Sequence, residues 1–230
     1  MHRIATVLVG LALAVLVIGL ALMPLTHPPF TRVLAERFSL AEEAGLPRDR
    51  MLDVAEQVRS FVVDSAGPTL PDAVDGRSGF DASAVSHLVD VRRVITGARL
   101  AVWALAIFLA LWLGVQVVRR RLDRVARAMR AAAIWCAVLV VLAALAGVLD
   151  FDTLFSAFHG LFFAEGTWTF ASDSLLIQTF PEAFWATAAG VWAGLVLLGA
   201  AVLAIGAHVL VASQVESSPS PQRGSSANGA

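Results

Sequence analysis

A chain of 230 residues that is 58% hydrophobic and only 15% charged, with mean hydropathy +0.75, is too apolar for an ordinary soluble domain and reads as an integral membrane protein. A formal net charge of −1 says little, and nucleic acid is not an expected partner because the one arginine-rich run, residues 119–130, is more simply a topology signal beside anionic lipid; the single Cys136, inside an apolar run, excludes an intrachain disulfide framework. All 17 basic residues are arginine, and there is no tyrosine.

Four stretches reach the length of about 20 apolar residues that a helix needs to cross a hydrocarbon core of about 30 Å. Residues 1–23 hold the first. Its "MHR" start resembles a signal peptide, but the apolar core exceeds the usual ~7–15 residues, so a retained helix is predicted. Residues 24–99 form a long connection with helical content. "PRDRMLDVAEQVRSFVVDSAG" puts Met51, Val54, Val58, Phe61 and Val62 on one face, with Pro47 near the start and Gly67 beyond the end. "GPTLPDAVDGRSG" reads as a turn-rich connector. Asp81 or Ser83 then caps a helix that meets no necessary break, Gly97 included, before the second span at 100–118.

"RRRLDRVARAMR", residues 119–130, carries six Arg against one Asp, which predicts a cytoplasmic connection by the positive-inside rule. The third span covers 131–149 and the fourth 184–212, so both termini are expected in the cytoplasm. Residues 150–183 and the long 24–99 connection then lie outside. The Ser- and Pro-rich residues 213–230 read as a disordered tail. The predicted fold is therefore an all-α membrane protein, with four transmembrane helices and a helical extracytoplasmic subdomain in the first outside loop.

The histidines carry the chemical interest. Projected at about 100° per residue, His87 shares a face with Ala84, Val91, Val94, Ala98 and Ala101, whereas Arg92, Arg93 and Arg99 point away. Asp90, three residues on, is placed to reach an imidazole nitrogen and fix its tautomer. The second histidine sits in "FHGLFFAEGTWTFASDSLLIQTFPEAFW", residues 158–185, which has six Phe, two Trp, three acids and no base. Loops are normally polar because their backbone groups need water, so this one suits an interfacial or re-entrant stretch. A polar pair that merely locks helices would explain His87, and an aromatic belt would explain Trp168 and Trp185. Neither explains two histidines at the same membrane face, where ionisable groups are expensive. His2, His27 and His208 sit at less suggestive places.

"SHLVDVRR" at Ser86–Arg93, followed by "FHGLFFAEGTW" and "DSLLIQTFPEAFW", resembles the lipoprotein intramolecular transacylase (Lit) family of bacterial membrane proteins. The resemblance implies an enzyme that moves the sn-2 acyl chain of a diacylglyceryl-cysteine lipoprotein onto the cysteine's α-amino group. It marks His87 and His159 as catalytic. The same motifs supply Asp90, Arg93, Phe158, Phe162, Trp168 and Asp173 as orienting or substrate-binding residues. Diacylated bacterial lipoproteins and membrane lipid are the implied partners, in the bacterial cytoplasmic membrane with the site on its outer side. No cofactor or metal is expected, since the chain has neither CxxCH nor HExxH. The absence of tyrosine leaves any phenol role vacant. A non-catalytic lipid-binding or scaffolding membrane subunit is the alternative.

Overall fold

The computed structural model describes residues 2–64 and 67–216. The elements in chain order are α1 (His2–Leu22), a single 3₁₀ turn (Pro24–Thr26), α2 (Pro28–Phe38), α3 (Arg48–Val63), a hairpin of β1 (Ala73–Val74) and β2 (Arg77–Ser78), α4 (Ala82–Val118), α5 (Leu122–Leu149), α6 (Phe151–Phe162), α7 (Leu175–Thr179) and α8 (Glu182–Glu216). Of these, α1, α4, α5 and α8 are long and apolar enough to cross a membrane.

The four long helices pack through small residues. α5 lies against both α1 and α8, and α4 leans on α1. Ala14, Ala132, Cys136 and Val196 are fully buried where α1, α5 and α8 meet. Without a hydrophobic drive between helices in lipid, close van der Waals approach has to supply the attraction, and glycines permit it. A Cβ added at Gly10 would stand 2.6 Å from the Ala131 Cβ, and one at Gly199 would stand 2.6 Å from a methyl of Val17. The Trp192 indole donates to the Ile18 carbonyl at 3.2 Å, a polar tie between α8 and α1. The outer faces carry exposed Leu100, Trp103, Leu111 and Leu142, the surface lipid would cover.

A second core gathers at the end of the bundle where α4 begins. It joins α2, α3, α7 and the first turns of α4 and α8 through Leu34, Met51, Val54, Val58, Phe61, Leu88, Leu175, Phe180 and Phe184. The face expected of α3 is the one it buries, with Val62 packed at the edge. Arg92 and Arg99 of α4 donate to the Phe61 and Val63 carbonyls, two of the acceptors that a helix C-terminus leaves unpaired. The Arg92 guanidinium also lies 4.1 Å over the Phe61 ring. Arg59 of α3 reaches Glu56 at 2.7 Å, Asp64 at 3.0 Å and the Thr26 carbonyl at 3.4 Å, which pins α3 to the turn after α1.

Several boundaries differ from the sequence reading. The connector after α3 is a tight hairpin: Asp75 and Gly76 both take positive φ, at 48° and 82°, as a two-residue turn of the Asp-Gly kind requires. Asp81, not Ser83, caps α4, its carboxylate accepting from the Ala84 N–H at 2.7 Å. α4 then runs unbroken through Gly97. The arginine-rich connection shrinks to a turn at 119–121, because α5 already begins at Leu122, helped by an Asp123–Arg127 pair at 2.7 Å one turn apart. α2 had no separate sequence signal, and α8 extends to Glu216, so most of the tail expected at 213–230 lies outside the described residues.

Candidate active site

Two caps place the two histidines. Asp81 starts α4 so that His87 falls in its second turn, on the face that buries Ala84 and Leu88. Asp150 starts α6 in the same way, its carboxylate accepting from the Thr153 N–H at 3.0 Å and the Thr153 hydroxyl at 2.6 Å. That sets His159 on the α6 face turned towards the bundle, while Phe158, Leu161 and Phe162 are exposed. The stretch read as interfacial thus divides: its first residues end the amphipathic α6, which has no fully buried residue, whereas Leu175, Leu176, Phe180 and Phe184 further on are buried in the second core.

The imidazoles meet there. Their ring centroids are 6.2 Å apart and their planes differ by 27°. No hydrogen bond joins them; aromatic rings surround both. Phe163 and Phe170 lie 4.9 and 5.5 Å from His87. Phe155, Trp168, Phe158 and Phe163 lie 4.0, 4.9, 5.6 and 5.7 Å from His159. His87 is only 8% exposed.

The hydrogen-bond partners distinguish the two rings. His159 Nδ1 is 2.8 Å from the Phe155 carbonyl, which can only accept, so Nδ1 carries the proton and Nε2 keeps a free lone pair in the neutral ring. Burial pushes the His159 pKa below the ordinary histidine value, although the Phe155 carbonyl pulls the other way. His87 Nδ1 is buried without a partner. An orphaned N–H is rarer inside proteins than an unsatisfied acceptor, which favours the tautomer with the proton on Nε2. In these tautomers the His159 Nε2 can accept a proton and the His87 Nε2–H can donate a hydrogen bond.

The remaining expected residues separate. Asp90 does not hydrogen-bond His87. It pairs with Arg93 at 2.6 Å, also three residues along the helix, because a full positive charge outcompetes a neutral ring for the carboxylate. Arg93 is exposed at that pair and touches neither imidazole. Phe158 and Trp168 line the His159 ring, while Phe162 packs on Phe158 and Phe163 one layer further out. Asp173 takes part through its backbone carbonyl, which accepts from Arg77.

Arg77 had no sequence signal. It follows the Asp-Gly turn of the hairpin, and its guanidinium holds the Ala44 carbonyl at 2.7 Å and the Asp173 carbonyl together. It thereby fastens the segment that brings Phe170 and Trp168 over the rings. Phe155, Phe163 and Phe170 stand in or beside the aromatic stretch, but nothing in their spacing distinguishes them from belt residues. Among the described residues no three His, Cys, Asp or Glu side chains gather as a metal site would need.

Residues 5–185 match the family of Lit, lipoprotein intramolecular transacylase. No curated protein sequence matches the chain. Among solved structures, the membrane-integral lipoprotein intramolecular transacylase Lit from Bacillus cereus superposes with a TM-score of 0.77 at 18% identity, covering 94% of this chain and 99% of that one. A variant of it with a histidine replaced by arginine gives a TM-score of 0.73, again at 18% identity, over 95% of each chain. These likenesses establish a shared fold, and the family match extends over most of the sequence. The chain, four membrane-crossing helices with two imidazoles in one aromatic cage, belongs to the lipoprotein intramolecular transacylase family and is a membrane-integral acyltransferase.

Proposed function

We propose that this enzyme moves the sn-2 acyl chain of a diacylglyceryl-cysteine lipoprotein to the cysteine's α-amino group, with His159 as the base and His87 as the donor to the carbonyl oxygen. The observation that carries this reading is the facing pair of rings at 6.2 Å, one with Nδ1 committed to the Phe155 carbonyl. An α-amino group, with a reference pKa of about 7.7–8.0, is mostly protonated at neutral pH and needs a base to act as a nucleophile. The free Nε2 of His159 takes a proton from the amine as its nitrogen attacks the ester carbonyl carbon. Electron density moves onto the carbonyl oxygen, where the Nε2–H of His87 donates a hydrogen bond. When the tetrahedral intermediate collapses, the carbon–oxygen bond to glycerol breaks and His159 returns its proton to the departing oxygen. Both histidines end as they began, and the product is an amide with a free glycerol hydroxyl. Amine and ester belong to one molecule, so orientation supplies much of the acceleration and no acyl-enzyme is required.

The same reading gives the site a side. The turn at 119–121 is three arginines at the end of the bundle remote from the histidines, and the positive-inside rule puts it in the cytoplasm. The rings then face the extracytoplasmic surface, where mature lipoproteins display their acylated N-termini. The exposed Phe158, Leu161 and Phe162 of α6 would lie among acyl chains and bring the ester to the rings.

The test is mass spectrometry of a lipoprotein's N-terminal peptide after incubation with the purified enzyme. His87→Ala and His159→Ala are expected to reach the membrane in normal amounts and to lose N-acyl product by about a thousandfold or more, the scale of removing a base or an oxyanion donor. Normal product from either variant, or poor folding of both with no specific loss of turnover, would contradict the assignment.

A further inference from the structure

We infer that the indole N–H of Trp168 is a second hydrogen-bond donor to the carbonyl oxygen of the migrating acyl ester, which makes Trp168 a catalytic residue acting beside His87. The inference rests on the transacylase reading but assigns a group that the two-histidine scheme does not use.

Two other indoles in the same chain reach a backbone acceptor. Trp185 donates to the Phe180 carbonyl at 3.0 Å and Trp192 donates to the Ile18 carbonyl at 3.2 Å. Trp168 alone has its Nε1 fully buried with no acceptor among the described residues. A buried donor left unpaired costs about 1–3 kcal/mol, and an orphaned N–H is rare. Its position gives the cost a purpose. The indole lies 4.9 Å from the His159 ring, with its plane tilted by 32°, and 6.5 Å from Phe155. The Phe155 carbonyl in this cluster receives the His159 Nδ1–H at 2.8 Å and no hydrogen bond from the indole. Indole donates only, so its partner must be an acceptor, and the surroundings are aromatic, so a neutral one suits better than an anion. A diacylglyceryl lipopeptide brings three such acceptors to the rings: the sn-1 and sn-2 ester carbonyls and the amide carbonyl of its own backbone. The sn-2 ester is favoured because the base next to the indole must meet the amine attacking that same carbonyl.

The indole N–H keeps its proton throughout. As the nitrogen–carbon bond forms and the carbonyl π electrons move onto oxygen, its hydrogen bond shortens and strengthens, and it relaxes when the bond to glycerol breaks. This is a contact realised most fully in the transition state, which lowers the barrier more than it tightens binding.

The experiment replaces Trp168 with benzothienylalanine, the same bicyclic shape with sulfur in place of N–H, and in parallel makes Trp168→Phe. Turnover of a synthetic diacylglyceryl lipopeptide is followed in proteoliposomes with the full chain. The expected result is a fall in kcat of about tenfold or more for both replacements, with KM changed by less than about threefold, as for loss of an oxyanion donor. Infrared spectra of the lipopeptide bound to His159→Ala protein supply a readout free of turnover. A ¹³C-labelled sn-2 ester carbonyl should absorb at lower frequency with Trp168 than with its isostere, and a ¹³C-labelled sn-1 ester or amide carbonyl should not change. Wild-type kcat in the isostere, or a shift confined to the sn-1 or amide label, would overturn the inference. Absence of N-acyl product from the wild-type enzyme would overturn the transacylase reading instead, since the ester-band comparison is independent of it.

Discussion

The tautomer of a single ring governs what this site can do. His159 is held by an acceptor within its own helix and sits among apolar rings, so its folded pKa is lower than the ~6.5 of a free histidine. The sign of the linkage follows. Below about 6.5 the unfolded chain takes up the proton first, so the stabilising contribution is complete above that value and is lost as pH falls through the folded pKa. We expect the His159 resonance, identified by its disappearance in His159→Gln, to titrate below the ordinary histidine range in an NMR titration of the labelled protein. Titration at or above that range would remove the base. His87 was legible in the sequence because a 3.6-residue period fixes which face of a helix it shares. Its partner was not: period alone placed Asp90 within reach, and only the competition from Arg93, one turn along, decided where the carboxylate goes.

At the scale of elements, the site is a seam between a long helix and a connection. α4 brings His87 and α6 brings His159, while the segment after α6 closes over them because Arg77 holds the carbonyls of Ala44 and Asp173 at once. Arg77→Ala should free that segment. Turnover is expected to fall about tenfold, with a stability loss of about 1–2 kcal/mol for the two hydrogen bonds, measured by thermal unfolding alongside product formation. Arg77→Lys should restore only part of the rate, because an ammonium lacks the planar fork that reaches two carbonyls. The long helices could be predicted from unbroken apolar length, and α3 from its periodic face. The hairpin and α6 could not be assigned so directly. The Asp-Gly pair had too few flanking strand residues to announce a hairpin, and the aromatic content of α6 signalled depth in the membrane more strongly than helix.

For the whole molecule, two cores divide the labour. Small side chains hold α1, α5 and α8 together, and larger ones build the cap in which α4, α7 and the rings are set. Gly10→Val tests the first core without touching the second. With the added Cβ 2.6 Å from that of Ala131, the helices must separate, and a loss of about 1–3 kcal/mol is expected in detergent unfolding. A wild-type melting profile would show that the contact between α1 and α5 is looser than described. The fold class was legible because a bilayer leaves few choices: apolar length, arginine placement and the lack of charge together allow little but a helical bundle. The site was less so, since convergence of residues 87 and 159 depends on how the connections bend back.

The apolar Phe158, Leu161 and Phe162 on the outward side of α6 have a further implication. One imidazole rides on a helix of 37 residues, the other on a helix of 12 residues that packs on α5 and leaves Phe158, Leu161 and Phe162 exposed. If those side chains lie among acyl chains, as proposed, the spacing between the two rings would depend on more than the polypeptide. Lateral pressure, headgroup crowding and leaflet thickness would all bear on the shorter helix, and the surrounding lipid would tune the site.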